Sequence, residues 1–208
     1  MGGDRNFGYL IGDSVSKKCV LVDPSYAPEA VVLRATEQGL NVTHIINTHG
    51  HADHINGNAA AQALTRAPIA AHPDSAAMPD VGLADGGTLN VGALRLEFIY
   101  TPGHIDDHLV IFEQTHQILI TGDLLFVGKV GGTHGDADAR TEWDSLQRVL
   151  KTYPDHATVW PGHDYGARPS STLALEKASN PFLMCRDADD FMRMKNEWPE
   201  YKKRLGLK

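Results

Sequence analysis

Three histidines and one aspartate stand close together in the segment THGHADH, residues 48–54. Imidazole nitrogens and carboxylate oxygens are the side-chain ligands that proteins use for zinc, iron and manganese ions. The apolar run VTHII directly before the segment predicts a strand, and sites in α/β proteins usually lie where strands end. The segment therefore predicts a metal site, and a solvated histidine-rich loop is the weaker interpretation.

The spacing of these four side chains divides them into two pairs. His49 and His51 would lie roughly 200° apart on an α-helix, but they lie on the same side of an extended segment. They can share one ion only if the strand continues into an extended loop. Asp53 and His54 follow where the chain turns toward the next helix, and a turn can direct them to a second point nearby. We therefore expect two half-sites, with His49 and His51 in one and Asp53 and His54 in the other.

Three later motifs repeat one arrangement, an apolar strand followed by a turn and then one ligand-type side chain. They are TPGH at 101–104, TGD at 121–123 and PGHD at 161–164. Packing gives no reason for three such coincidences. The side chains that would complete the two half-sites are His104, Asp123 and His163.

The order of these motifs, HxHxDH followed by His, Asp and His, resembles that of the metallo-β-lactamase superfamily. The resemblance implies an α/β fold, a four-layer αββα sandwich of two mixed β-sheets flanked by helices. It implies a single domain over 1–208, with a short helical C-terminal extension at about 180–208. It also implies a division of the ligands: His49, His51 and His104 would hold a first ion, Asp53, His54 and His163 a second, and Asp123 would bridge both.

Finer features resemble the branch that contains glyoxalase II and persulfide dioxygenase. They are VDP at 22–24 and PGHDYGARPSSTLALEKASNPFL at 161–183. The resemblance implies a metal-dependent hydrolase that attacks a thioester, such as an S-acyl glutathione, with a metal-bridging hydroxide. Asp53 and Asp123 would then be catalytic. Two divalent ions, zinc before iron or manganese, are the implied cofactors.

An oxidative activity is the main alternative, because the same motif serves both enzymes of this branch. By resemblance to persulfide dioxygenase, His49, His104 and Asp123 would hold a single iron with open positions for O₂, which would oxidise glutathione persulfide. Two less favoured functions are hydrolysis of another ester, a lactone or a β-lactam, and a non-catalytic role in metal binding or nucleic-acid processing. The ligand set does not choose between hydrolysis and oxidation.

Three side chains outside the ligand set are candidates for binding the substrate. Tyr165, two residues after His163, is similar to a tyrosine that contacts glutathione in glyoxalase II. Both enzymes of the branch usually carry Arg or Lys nine residues after the bridging aspartate, where this chain has Gly132. Lys129 and His134, on either side of that glycine, are the other candidates, and a thiol carrier different from glutathione stays open.

Composition limits the class of protein. The formal net charge of −7 disfavours sequence-independent binding to nucleic acid. No apolar run reaches the length of a membrane span, and the N-terminus lacks the apolar segment of a signal peptide. The two cysteines, Cys19 and Cys185, do not form a CxxC motif. We expect a cytoplasmic monomer or homodimer that acts on a small-molecule thioester, with no nucleic-acid or membrane partner.

Apolar periodicity and turn residues predict the elements that position the candidate ligands. Strands are predicted at 7–11, 18–22, 42–47, 68–71, 88–91, 94–100, 108–113, 117–121 and 157–160, with the first turn at Gly12–Asp13. Helices are predicted at 28–39, 58–67, 141–151, 170–179 and 186–197, followed by a charged tail. Their loose alternation, with hairpins between, predicts layers built on mixed sheets.

Overall fold

The structure is a computed structural model that describes residues 5–206. Its first sheet has five strands: β1 Tyr9–Asp13, β2 Lys18–Val22, β3 Asn41–Ile46, β4 Ile69–Ala71 and β5 Val81–Gly82. They follow one another in sequence order across the sheet. β1 is antiparallel to β2, and the other neighbouring strands are parallel. This sheet is therefore mixed, as predicted.

The second sheet is also mixed and has six strands: β6 Thr88–Val91, β7 Leu94–Tyr100, β8 Leu109–Glu113, β9 Ile118–Gly122, β12 Thr158–Pro161 and β13 Ser171–Thr172. A separate two-stranded hairpin, β10 Leu125–Phe126 and β11 Lys129–Val130, follows β9. The six strands lie in the order β13-β12-β9-β8-β7-β6, and only β12 and β9 are parallel neighbours among them.

The helices are α1 Pro28–Glu37, α2 Ala52–Ile55, α3 Asn58–Thr65, α4 Asp136–Thr152, α5 Leu173–Ser179 and α6 Ala188–Leu205. Local chemistry starts several of them. Pro28 occupies the first position of α1, where a missing N–H costs nothing. Thr172 and Asp187 cap α5 and α6 by accepting hydrogen bonds from backbone N–H groups of the first turn. Within residues 5–206, no helix combines the length and the apolar character that a membrane span needs.

Three apolar cores separate four layers. Alternate residues of a strand face opposite sides of its sheet, and both sides are buried here. Val20 and Val22 of β2 face the core between the two sheets, whereas Leu21 faces α1 and α3. On β8, Ile111 faces the same central core, and Val110 faces α4 and α6. The predicted αββα sandwich is confirmed.

Some predicted boundaries differ from the structure. Gly12 and Asp13 belong to β1, and the chain reverses at 14–17 instead. α4 begins at Asp136 and not at 141, because its polar first turn carries no apolar periodicity to reveal it. α6 continues through the predicted charged tail, past Pro199, to Leu205.

The C-terminal helix contributes to the core. Phe191 of α6 is fully buried and packs against Trp143 of α4, with ring centroids 5.4 Å apart. The charged residues of α6 occupy its other faces, so only part of this helix is the solvated surface that its charge indicates. The single domain over 1–208 stays a prediction, and residues 1–4 and 207–208 of that range lie outside the described residues.

Candidate metal centre

The candidate ligands lie where strands of the two sheets end. His49 comes three residues after β3, the central strand of the first sheet. Asp123 directly follows β9, and His163 follows β12, its parallel neighbour in the second sheet. The N–H of Leu109 donates a hydrogen bond of 2.7 Å to the carbonyl of Thr48, which joins the two sheets beside these ends. Strand order therefore explains why side chains distant in sequence meet at one place.

The first group of ligand atoms contains three imidazoles. The Nδ1 atom of His51 lies 3.0 Å from Nε2 of His49 and 3.0 Å from Nε2 of His104. His51 has an extended backbone, with φ −64° and ψ 142°. This is the conformation that the two-residue spacing of His49 and His51 requires if they are to share an ion.

The second group forms because the chain turns directly after His51. The four-residue helix α2 carries Asp53 and His54 away from the first pair. Nε2 of His54 lies 3.2 Å from Nε2 of His163. Oδ2 of Asp53 lies 3.4 Å from Nε2 of His163 and 3.6 Å from Nε2 of His54. One turn thus divides THGHADH between two neighbouring points.

Asp123 lies between the two groups. Its Oδ2 atom is 3.2 Å from Nε2 of His163 and 3.5 Å from Nε2 of His104, and its Oδ1 atom is 3.4 Å from Nε2 of His54. The structure therefore brings all seven predicted ligand side chains together. Their ligand atoms fall into groups in which all atoms lie within 4.8 Å of one another.

Hydrogen bonds fix which ring nitrogen is bare in His104 and in His49. Nδ1 of His104 lies 2.7 Å from the carbonyl oxygen of Gly132, which can only accept, so Nδ1 carries the proton. The hydroxyl of Thr48 donates to Oδ2 of Asp23 at 2.6 Å, so it must accept from Nδ1 of His49 at 3.0 Å. In both neutral rings the lone pair is therefore on Nε2, the atom that faces the group.

Asp23 is a supporting residue that the sequence reasoning did not select. This carboxylate is 2% exposed and accepts hydrogen bonds from the N–H and hydroxyl of Thr48 and from Nδ1 of His54. Burial opposes the charge on His54, but the carboxylates of Asp23 and Asp123 raise its pKa to about 10. The signal was available in the sequence, since VDP also places an acidic residue directly after an apolar strand.

His108 is a second supporting residue. Burial, together with the nearby His104, lowers the pKa of His108 to about 3, so the ring is neutral. Its Nδ1 pairs with the hydroxyl of Thr101 at 2.8 Å, and its Nε2 accepts from the N–H of Asp123 at 3.0 Å. His108 thus holds the backbone of the carboxylate that lies between the groups.

The donor set fits divalent cations. Burial, with the nearby His54, lowers the pKa of His49 well below its usual value. Burial opposes ionisation of Asp123, yet the nearby rings of His163 and His54 hold its pKa well below the usual range. Oδ1 of Asp123 is buried and has no hydrogen-bond partner within residues 5–206. The bare Nε2 atoms of His49 and His104 both lie 3.0 Å from Nδ1 of His51, and a divalent cation suits such a set of nitrogens beside an ionised carboxylate.

Two of the predicted substrate residues lie beside the second group. The ring of Tyr165 stacks on that of His163, with centroids 4.7 Å apart and planes 4° apart. The ammonium of Lys129 lies 3.8 Å from the centroid of the Tyr165 ring, and the guanidinium of Arg5 lies 5.1 Å from it. His134 is exposed on the loop before α4, and its role in binding stays a prediction.

Two adjoining grooves run along α6, and one of them reaches Tyr165 beside the second group. One, of about 360 Å³, lies between the loop that contains Gly132 and the helix. The other, of about 350 Å³, extends to Arg5 and Tyr165. Lys129, Trp198 and Lys202 line both grooves. Together they form a cationic depression with an aromatic wall, which we call the α6 groove.

Comparison with known families, sequences and structures gives relatives that agree with one another. The family model of the metallo-beta-lactamase superfamily matches residues 1–163. A hydroxyacylglutathione hydrolase of Polaromonas sp. is 36% identical over 166 residues, which cover 77% of this chain but only 63% of that enzyme. The human mitochondrial persulfide dioxygenase ETHE1 is 33% identical over 181 residues, which cover 85% of this chain and 71% of the human enzyme. The crystal structure of ETHE1 from Myxococcus xanthus has a TM-score of 0.85 at 33% identity, covering 94% of this chain and 87% of that one.

Proposed function

This chain belongs to the metallo-β-lactamase superfamily, and we propose that it hydrolyses thioesters at a centre of two metal ions. The observation that carries the proposal is the position of Asp123, whose two carboxylate oxygens approach ligand nitrogens of both groups within 3.5 Å. A carboxylate in that position fits a bridge between two ions. Similarity to a hydroxyacylglutathione hydrolase supports the choice of substrate.

For the seven candidate ligands we keep the division that the family resemblance implies. The first ion would be held by His49, His51 and His104, the second by Asp53, His54 and His163, and both by Asp123. The set has nitrogen and oxygen atoms and no thiolate, which suits zinc first and also iron or manganese. When bound, two such ions would supply a hydroxide at neutral pH and polarise a carbonyl.

The protein's own groups orient this chemistry. Asn6 donates to Oδ2 of Asp53 at 2.9 Å and fixes that carboxylate, whose side chain remains 31% exposed. With the ions bound, Asp53 would be the group that accepts the proton of the attacking water. Asp123 is 9% exposed in its side chain, yet the neighbouring rings of His163 and His54 keep it ionised in its position between the groups.

The α6 groove is where we place the thiol carrier. The chain has a net charge of −7, yet Arg5, Lys129 and Lys202 line this depression beside the second group. Local cations of this kind attract carboxylates or phosphates. The carrier is therefore an anionic thiol, with glutathione as the first candidate, and Tyr165 would contact it next to His163.

Hydrolysis of S-lactoylglutathione by the zinc-loaded protein tests the proposal. We expect metal-dependent cleavage that a chelator abolishes, and a loss in kcat of at least about 100-fold in Asp123→Asn. The matched control is Asp74→Asn, since Asp74 is 90% exposed and its loss leaves the centre intact. A protein that holds two zinc ions and leaves both S-lactoylglutathione and other S-acyl thiols uncleaved would contradict the proposal.

The second candidate function is oxidation of glutathione persulfide by one iron. It is favoured by the similarity to ETHE1 of Myxococcus xanthus, which extends over 94% of this chain. His49, His104 and Asp123 would form its two-histidine, one-carboxylate triad, and Oδ2 of Asp123 lies 3.5 Å from Nε2 of His104. About one iron per chain, with O₂ uptake in the presence of glutathione persulfide, would select this function over hydrolysis.

A further inference from the structure

A buried ion pair lies behind the first ligand group. The carboxylate of Glu142, on α4, is fully buried and pairs through Oε2 with the ammonium of Lys195, on α6. The side chain of Lys195 is 10% exposed. Two charges withdrawn from water stabilise a fold less than apolar residues of the same shape would, so the pair calls for another explanation.

The pair contacts the loop that holds His104. The ammonium of Lys195 also donates to the carbonyl of Gly131 at 2.9 Å. The next carbonyl, that of Gly132, accepts the Nδ1 proton of His104. Lys195 thus fixes the peptide directly before the acceptor that sets the tautomer of His104.

Glu142 supports His104 from the other side. A methyl group on Gly103 would lie 2.3–2.5 Å from the backbone and Cβ of Glu142, so the two segments are in close contact. A methyl group on Gly131 would lie 3.0 Å from Nδ1 of His104 and 3.1 Å from Oε1 of Glu142. The loop that carries His104 and the loop that carries Gly131 therefore both pack on this ion pair.

We propose that the Glu142–Lys195 pair positions His104 for metal binding, so that α6 supports the first ligand group although it carries none of its ligands. The inference rests on the proposed metal centre and concerns one half of it. Outer partners of metal-binding histidines commonly change metal affinity about 10–100-fold when they are removed. These contacts connect the pair to His104, which belongs to the first group. The effect of the pair on metal binding can therefore be measured separately for the two groups.

Zinc affinity of the full chain, measured by competition with a chromophoric chelator and without substrate, tests the proposal. The first group is measured alone in a His163→Ala background, and the second alone in a His51→Ala background. We expect Glu142→Gln and Lys195→Met to weaken zinc binding about 10-fold or more in the first background and less than about 3-fold in the second. Lys195→Arg keeps the charge and the N–H donors, so we expect it to restore most of the affinity.

The control is Lys203→Met, which removes an exposed lysine of the same helix and should leave both affinities unchanged. Glu142→Gln preserves the shape of the side chain, so it keeps the test valid if Lys195→Met does not fold. Equal losses in both backgrounds, or none in either, would overturn the proposal. Zinc affinity does not depend on the reaction, so a protein that shows the expected affinities but cleaves no thioester would contradict only the proposed function.

Discussion

Asp23 shows how a residue outside the ligand set controls the ligands. It accepts from Thr48, which directs the lone pair of His49 toward the first group, and from His54, which belongs to the second. Its backbone has φ 45°, a conformation that residues other than glycine rarely adopt. This backbone conformation, at a buried carboxylate that accepts three hydrogen bonds, indicates a role for Asp23 in the centre it supports.

Metal binding should release a proton from His54. Its folded-state pKa of about 10 lies above its ordinary value of 6.5, so the metal-free ring is protonated at pH 8. An ion can bind Nε2 only after that ring has lost a proton, and binding at pH 8 should release about one proton from His54. The measurement is zinc calorimetry in two buffers with different ionisation enthalpies.

Asp23→Asn serves as the comparison in that experiment. It removes a carboxylate that raises the pKa of His54, so it should release fewer protons than the wild type, whereas Asp74→Asn should match the wild type. Proton release that is the same with and without Asp23 would show that this carboxylate does not hold His54 charged.

At the scale of elements, strand ends and tight turns determine where the ligands lie. Gly103 immediately precedes His104, has φ +131°, and lies against the backbone of α4. That approach fixes the loop after β7 to the helix that carries Glu142. The glycine is required by space and by backbone conformation together.

Gly103→Ala should therefore destabilise the metal-free protein. The added methyl group would lie within 2.5 Å of backbone atoms of Glu142, and we expect the free energy of unfolding to fall by about 2–4 kcal/mol. Gly132→Ala is the control, because a methyl group there has no atom within 4 Å, and its effect should stay within about 0.5 kcal/mol. Urea unfolding measures both, and equal destabilisation by the two variants would contradict the packing described.

The strands and helices also differ in how well the sequence predicts them. Buried strands such as β8 were predictable because their apolar runs are continuous, and the division of THGHADH followed from spacing alone. Strands of two residues, such as β5 and β13, have no period to detect. The support from Asp23 and from the Glu142–Lys195 pair depends on contacts between residues far apart in sequence, which no local pattern contains.

Considered as a whole, the molecule is two mixed sheets joined at the candidate centre. The segment after β3 of the first sheet supplies His49, His51, Asp53 and His54. The other three candidate ligands, His104, Asp123 and His163, follow strands of the second sheet. Ions bound by ligands from both sets would therefore connect the two sheets. Metal binding and folding should consequently be coupled.

Metal removal should lower the melting temperature. An ion present at about 1,000 times its Kd stabilises the folded state by about 4 kcal/mol, which corresponds to roughly 10 °C for a chain of this size. Calorimetry of the zinc-loaded and chelator-treated protein measures the shift. Without His163 the second group loses a ligand, so His163→Ala should reduce the shift, and a melting temperature independent of metal would contradict the coupling.

The most direct test of the central claim is the metal content of protein from cells grown without metal supplement, read together with paired assays on S-lactoylglutathione and glutathione persulfide. We predict about two zinc ions per chain, thioester cleavage and no O₂ uptake. About one iron per chain, with O₂ uptake and no thioester cleavage, would contradict the claim and identify the centre as that of a dioxygenase.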